Sequence, residues 1–263
     1  MLPGTVWFVG AGPGDPELIT VKGRALLERA GAVLFAGSLV DATVARYAPP
    51  EAEIADSKSM TLEEIGQWLV SRAQRHHTVV RLQTGDPTLY GALTEMTRLL
   101  DGAGIPWRVV PGVSSAFAAA AAAGVSLTLP EVTQTVILTR TAGRTPMPEG
   151  EALAALAAHR TTVCLFLSIT HTRAIEAAFL AAGWSPESPV LVVHKATWPE
   201  EQVVRTTLAN LSASCRAAKI ATQAMIILSP VLATEGAASL PRSRLYDPKF
   251  THRFRRATPP EVS

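Results

Sequence analysis

The sequence of 263 residues predicts an α/β protein of two domains, the first of which contains a mainly parallel sheet. Short β-rich runs alternate with helix-length segments, and a sharp break at Pro111-Gly112 divides the chain. The length suffices for two ordinary domains of roughly 100 to 200 residues each. Hydrophobic residues make up 48% of the chain and charged residues 17%, which excludes an intrinsically disordered protein and a charge-rich coiled coil.

The first half of the chain predicts strands that alternate with helices. Thr61 is the expected N-cap of one helix, and Glu64, three residues later, completes a capping box. Repetition of strand, helix and strand is typical of a parallel sheet, whose ligands lie beyond the carboxyl ends of the strands. The clearest strands are 6–9, 32–35, 79–82 and 107–110.

The second half is also predicted to be α/β. An alanine-rich helix follows Ser114-Ser115 and ends at Gly124, and a second helix covers 169–182. We expect a first domain at 1–113, a second at 114–235 and a basic tail at 236–263. The strands predicted in the second domain are 135–139, 163–167, 190–193 and 225–228.

Charge is distributed unevenly along the chain. From Arg242 onward six basic residues stand against two acidic ones, so this segment carries +4, while the rest of the chain carries −2 and the whole +2. A nucleic-acid-binding surface that extends over the whole protein is therefore not expected. The local excess in the tail requires a separate explanation.

The sequence predicts neither a membrane protein nor a metal protein. Its longest apolar run, 116–123, is far shorter than the roughly 18 residues of a spanning helix. The N-terminus enters strand-like sequence directly, without a basic leader and an apolar signal core, so we expect a cytoplasmic protein. Cys164 and Cys215 lie far apart without CxxC spacing, which predicts two buried thiols and no disulfide or zinc site.

Three glycine-containing loops follow predicted strands. The first loop, 10–16, reads GAGPGDP, which departs from the GxGxxG dinucleotide fingerprint, and no acidic residue follows the second strand to bind a ribose. The second loop, 84–91, contains Gly-Asp-Pro, and the third loop, 111–115, ends in two serines. Each alone is ordinary turn or cap chemistry. Because all three leave the carboxyl ends of parallel strands, we expect them to converge on one sheet edge and form a ligand cleft.

The loop motifs resemble, in order and spacing, those of the tetrapyrrole methylases of corrin and siroheme biosynthesis. Stretches 127–132, 134–140, 147–150 and 243–250 are most similar to the members that methylate C11 of precorrin-4 in cobalamin biosynthesis. The resemblance covers nearly the whole chain. The motifs that carry it are Gly12-Pro13-Gly14-Asp15-Pro16, Gly85-Asp86-Pro87, Tyr90-Gly91 and Pro111-Gly112-Val113-Ser114-Ser115.

The resemblance implies a homodimer whose two α/β domains hold S-adenosylmethionine in the cleft between them. Asp86 and Tyr90 are the candidate catalytic residues. Asp86 either orients the cofactor, acts near the substrate or stabilises its turn, and Tyr90 presents a hydroxyl to the cleft or packs in the core. Leu167 stands where siroheme synthases carry methionine. The cofactor residues implied are Pro13, Thr84, Gly85, Asp86, Leu89, Ser114, Ser115, Leu167, Ala196 and Ala224.

The implied function is methylation of C11 of precorrin-4 or its cobalt form. A sulfonium methyl is already activated, so positioning is the main task; accordingly the sequence contains no HExxH or Walker A motif. We hypothesise that Arg253, Arg255 or Arg256 holds carboxylates of the macrocycle. Three alternatives stay open: a sibling activity at another ring carbon, a non-catalytic tetrapyrrole-binding protein and, opposed by the missing acid, a nucleotide-dependent oxidoreductase.

Overall fold

A computed structural model describes residues 2–37, 40, 42–236 and 243–257. The chain forms two compact units, of which one comprises the residues up to Ala122 together with Val193–Gln202, and the other Ala123–Val192 together with the residues from Val203 onward. Both contain strands and helices, which confirms the predicted α/β class. The predicted limits at residues 113 and 235 stay a prediction. Of the tail, residues 237–242, with Arg242, and 258–263 lie outside the described residues.

The first unit contains a five-stranded parallel sheet. Its strands are β1 (Thr5–Gly10), β2 (Ala32–Phe35), β3 (Glu53–Asp56), β4 (Thr78–Gln83) and β5 (Trp107–Val110). They are arranged in the order β3-β2-β4-β1-β5. The carboxyl ends of β4, β1 and β5 are therefore neighbours. The helices are α1 (Val21–Leu27), α2 (Leu62–Ala73), α3 (Leu93–Gly102) and α4 (Ser115–Ala123).

Helices cover both faces of this sheet. On one face, Val80 and Leu82 of β4 belong to the same buried cluster as Leu26 of α1. On the other, Val79 of β4 packs in a second cluster with Leu69 of α2. Burial on both faces explains why β1, β2 and β4 are mainly apolar and do not alternate between apolar and polar residues.

Two predicted helix ends are confirmed. Thr61 accepts a hydrogen bond from the Glu64 N–H at 3.2 Å, and its own N–H donates to Glu64 Oε2 at 2.7 Å, which completes the capping box. Helix α4 stops at Ala123, before Gly124 with φ of 66°.

The second sheet is mixed. Strands β6 and β7 are parallel, and β10 is antiparallel to β7. The order is β6-β7-β10-β8-β9, with β6 (Val136–Arg140), β7 (Thr162–Phe166), β8 (Pro189–His194), β9 (Gln202–Thr207) and β10 (Ala224–Leu228). Its helices are α5 (Leu153–Ala157), α6 (Thr172–Ala181) and α7 (Leu211–Ala217). The helix predicted at 169–182 therefore begins later, after a 3-10 turn at Ile169–His171.

No helix in the described parts of the chain is both long enough and apolar enough to cross a membrane.

Candidate functional site

The three glycine-containing loops meet at the carboxyl edge of the first sheet. The Ala11 N–H of the first loop donates to Gln83 O, the last residue of β4, at 2.7 Å. The Gly85 N–H of the second loop donates to Gly12 O at 2.8 Å. The third loop follows β5, which pairs with β1 on the other side. The predicted convergence is thus confirmed.

Two of the glycines at this edge are required for different reasons, Gly10 for close backbone packing and Gly85 for its backbone conformation. A side-chain carbon at Gly10 would lie 2.5 Å from Gly112 Cα and 2.5 Å from Gly85 O, which real side chains do not allow. Gly85 differs, because an added carbon there would meet only the third loop, at 3.8 Å. Its φ of 60° is the feature that requires glycine. An added carbon at Gly85 would therefore be in ordinary van der Waals contact with the third loop.

The Asp86 carboxylate holds the second loop to the third. Its Oδ1 accepts from the Thr88 N–H at 2.8 Å and from the Thr88 hydroxyl at 2.5 Å, and its Oδ2 accepts from the Gly112 N–H at 2.9 Å. Partial burial acts to raise the pKa of Asp86, but the bonds from Thr88 and Gly112 outweigh it and the pKa is lowered. An ionised carboxylate with three donors stabilises the turn, and its lowered pKa makes it a weak proton acceptor. Direct contact of Asp86 with cofactor or substrate stays a prediction.

The remaining predicted residues of the second and third loops lie along this edge. Thr84 and Leu89 are half-buried beside the buried Gly85. Ser114 is buried, and its Oγ accepts from the Ala116 N–H at 3.4 Å at the start of α4. The side chain of Ser115, the first residue of that helix, is half-buried.

Tyr90 is 46% exposed and has a left-handed φ of 56°. Its ring therefore does not pack in the core, which removes one of the two interpretations of this residue. A catalytic role for its hydroxyl stays a prediction.

Pro13 and Ala196 are both buried residues of the first unit. The residue after Ala196, Thr197, accepts a hydrogen bond through Oγ1 from the Asp15 N–H of the first loop at 2.9 Å. The segment 193–202, which groups with the first unit, thus contacts the first loop directly.

Leu167 and Ala224 belong to the second unit. Leu167 follows β7 with φ of 53° and is 63% exposed, an unusual state for leucine. Ser168 fixes this turn, since its hydroxyl donates to Phe166 O at 2.6 Å and accepts from the Thr141 N–H at 2.8 Å. Ala224, at the start of β10, is half-buried.

Sequence reasoning missed Arg81, which lies inside the apolar run of β4. It is 5% exposed, and its Nη1 donates to Ser57 Oγ at 2.8 Å. Burial lowers the pKa of Arg81 to about 10, so it is charged at neutral pH. The sequence pattern that could have indicated this residue is a single arginine between a valine and a leucine of an otherwise apolar strand.

The arginines of the tail differ in their contacts. Arg255 Nη2 donates to Leu245 O at 2.8 Å and to Asp247 O at 2.6 Å, so this side chain holds the tail segment together. Arg253 and Arg256 are exposed, and the Arg253 guanidinium lies 5.5 Å from the centre of the Phe254 ring.

The two cysteines are free and buried, as predicted, and burial raises the pKa of the Cys164 thiol to about 12. Among the residues that the structure describes, no group of three His, Cys, Asp or Glu side chains is placed to hold a metal ion.

Comparison with known proteins gives consistent matches. The model of the family described as tetrapyrrole (corrin/porphyrin) methylases matches residues 5–212. Over 256 residues the chain is 48% identical to a cobalt-precorrin-4 C(11)-methyltransferase of Priestia megaterium, which covers 97% of this chain and 99% of that protein.

Several solved structures are similar to this one, including the following two. The X-ray structure of a cobalt precorrin-4 methyltransferase of cobalamin biosynthesis matches with a TM-score of 0.84 at 49% identity, over 87% of this chain and 95% of that one. A uroporphyrin-III C-methyltransferase of Thermus thermophilus, in complex with S-adenosylhomocysteine, matches with a TM-score of 0.71 at 32% identity, over 87% of this chain and 93% of that one.

Proposed function

The chain belongs to the tetrapyrrole (corrin/porphyrin) methylases, and we propose that it transfers a methyl group to C11 of precorrin-4 or its cobalt form. The observation that carries this proposal is the extent of the similarity: 97% of this chain and 99% of the Priestia megaterium enzyme align at 48% identity. The match therefore includes regions outside the three loops. Such regions decide which ring carbon is methylated, because the cofactor loops are shared across the family.

The methyl donor in this proposal is S-adenosylmethionine. A structural neighbour binds S-adenosylhomocysteine, the product of that donor. The first sheet edge fits such a ligand, because it offers the hydroxyls of Thr84, Ser114 and Ser115 and backbone groups of the loops. When bound, S-adenosylmethionine supplies a methyl group that its sulfonium charge has already activated.

The protein residues act mainly by positioning. Asp86 holds the second and third loops at a fixed separation through Thr88 and Gly112. A site fixed before binding spends less of its interaction energy on ordering the loops, and it favours an in-line approach of the reacting carbon. The further cofactor contacts in the first unit are Pro13, Leu89 and Ala196, and those of Leu167 and Ala224 in the second unit rest on the family resemblance alone.

The tail contributes to substrate attraction in this proposal. The macrocycle implied by the family carries several carboxylates, and Arg253 and Arg256 are exposed cations. Replacing both by alanine should weaken substrate binding most at low salt, because salt screens exposed charges. The affinity for S-adenosylhomocysteine should stay unchanged. If the wild type and the double variant bind the substrate with equal affinity at both low and high salt, the tail has no role in substrate recognition.

Two further properties complete the proposal. The protein works as a homodimer, most simply with two-fold symmetry, and sedimentation equilibrium that gives 27.9 kDa over a wide concentration range would contradict this. It works in the cytoplasm, which the two free cysteines favour because thiols persist in reducing compartments.

The function is tested by the position of the new methyl group. The protein is incubated with S-adenosylmethionine labelled with ¹³C in its methyl group and with precorrin-4, and the product is examined by NMR. Label at C11 supports the proposal, and label at another ring carbon assigns a sibling activity. Tight binding of the macrocycle without transfer indicates the non-catalytic alternative.

A further inference from the structure

Two residues of the segment 193–202 form hydrogen bonds with the first loop on either side of Gly14. Trp198 Nε1 donates to Pro13 O at 2.9 Å, and Thr197 Oγ1 accepts from the Asp15 N–H at 2.9 Å. We call Thr197 and Trp198 the clamp. Its two hydrogen bonds satisfy backbone groups of adjacent peptide units, so they fix the path of the loop as well as its position.

The indole of Trp198 lies directly on the backbone of Gly14. A side-chain carbon at Gly14 would overlap Cδ1 and Nε1 of the Trp198 ring. Gly14 does not have a left-handed φ, so backbone conformation does not explain the glycine. Its lack of a side chain is explained by contact with a tryptophan more than 180 residues away in sequence.

Residues next to the clamp in sequence stabilise it through further contacts. The Thr197 N–H donates to Glu201 Oε2 at 2.6 Å. Lys195 pairs with Glu200 at 3.2 Å, and its ammonium lies 5.5 Å from the centre of the Trp198 ring. Thr197 has a φ of 72°, a costly conformation for a β-branched residue, and such conformations persist where surrounding contacts impose them.

We propose that Thr197 and Trp198 are positioning residues that hold the first loop in its cofactor-binding conformation before the cofactor arrives. This inference rests on the proposed use of S-adenosylmethionine, and on the predicted contact of Pro13 with it. Without the clamp, the loop populates other conformations, and the apparent affinity falls by the fraction of time spent in them. The clamp acts on binding and leaves the reacting atoms untouched. It therefore changes the KM for the donor more than kcat.

The test uses W198F and T197V in the full chain, with S-adenosylhomocysteine affinity measured by calorimetry. W198F retains an aromatic ring over Gly14 but leaves Pro13 O without its donor, and we expect about tenfold weaker binding. T197V removes the acceptor of the Asp15 N–H, and we expect faster hydrogen exchange of that amide in the ligand-free protein. The matched control is W107F, which also removes an indole hydrogen bond, to Asp101 Oδ1 at 2.8 Å, but in the strand β5 and outside the clamp.

A double-mutant cycle of S-adenosylhomocysteine affinity distinguishes an effect of the clamp from a general loss of stability. G14A should displace the indole and so break the bond to Pro13, and W198F added to G14A should then cost little more than G14A alone. Wild-type protein that fails to bind S-adenosylhomocysteine would overturn the proposed function itself. Wild-type binding with unchanged affinity in folded W198F and T197V, or fully additive losses in the cycle, would overturn the clamp and leave the function standing.

Discussion

Asp86 should stabilise the site through its charge, and replacing it with asparagine tests this. The carboxylate accepts from the Thr88 N–H and hydroxyl on one oxygen and from the Gly112 N–H on the other. Asparagine has a single acceptor oxygen. If that oxygen serves Thr88, the amide NH₂ faces the Gly112 N–H, donor against donor. D86N therefore loses the bond between the two loops, and the remaining bonds lose their ionic character.

The magnitude follows from these bonds. A hydrogen bond to a charged group contributes about 1.5–3 kcal/mol, and a partly water-accessible site lies at the low end. We expect D86N to lower the free energy of unfolding by about 1–2 kcal/mol at pH 7. Since the folded pKa of Asp86 is lowered, its contribution is complete above the ordinary aspartate pKa of about 4 and disappears as the pH falls through the folded pKa. The difference between wild type and D86N should shrink on acidification.

Urea unfolding at pH 7 and at decreasing pH measures both effects. The control is T88V, which removes the hydroxyl bond but retains the charge and the Gly112 bond, and so should lose less stability. Equal stability of wild type and D86N at pH 7, or a difference that grows in acid, would refute the reasoning. A collapse of kcat at saturating S-adenosylmethionine without loss of stability would instead assign Asp86 to the chemical step.

Three further predictions concern single positions. G85V should weaken S-adenosylhomocysteine binding at least tenfold by calorimetry, because φ of 60° strains valine by about 1–2 kcal/mol, whereas G102V, with open space around it, should not. T162V should cost about 1–3 kcal/mol in urea unfolding, because it breaks the buried hydroxyl pair with Ser229 at 2.6 Å. The Cys164 thiol, whose pKa burial raises to about 12, should react with iodoacetamide at pH 8 only after unfolding, and rapid native labelling would contradict its burial.

The sequence predicts strands that contain an apolar run better than strands that are rich in polar residues. β2 and β5 were predicted with their observed bounds, since each is apolar over its last residues and ends at a turn. Strands β3 and β9 were missed. Both lie at the end of a sheet, where a strand has a neighbour on one side only. Such a position tolerates polar residues, and the sequences EIAD and QVVRTT contain several. Apolar periodicity alone does not detect such strands.

The loops of the site can be predicted from the sequence, but the long-range hydrogen bonds that hold the first loop cannot. Glycine and proline directly after strands mark the three loops, and the parallel order then brings them together. The hydrogen bonds of Thr197 and Trp198 join residues 182 and 185 positions apart, and no local pattern encodes such a contact. The apolar pattern predicts a strand that includes Leu167, whereas the left-handed φ of Leu167 ends β7 one residue earlier.

The carboxyl edge of the first sheet should bind the cofactor. This is tested by hydrogen exchange of the full protein, measured with and without saturating S-adenosylhomocysteine and with NAD as the control ligand. We predict slower exchange of backbone amides in 84–91 and 111–115 with S-adenosylhomocysteine and no change with NAD. Tight S-adenosylhomocysteine binding that leaves exchange in both loops unchanged would contradict the claim.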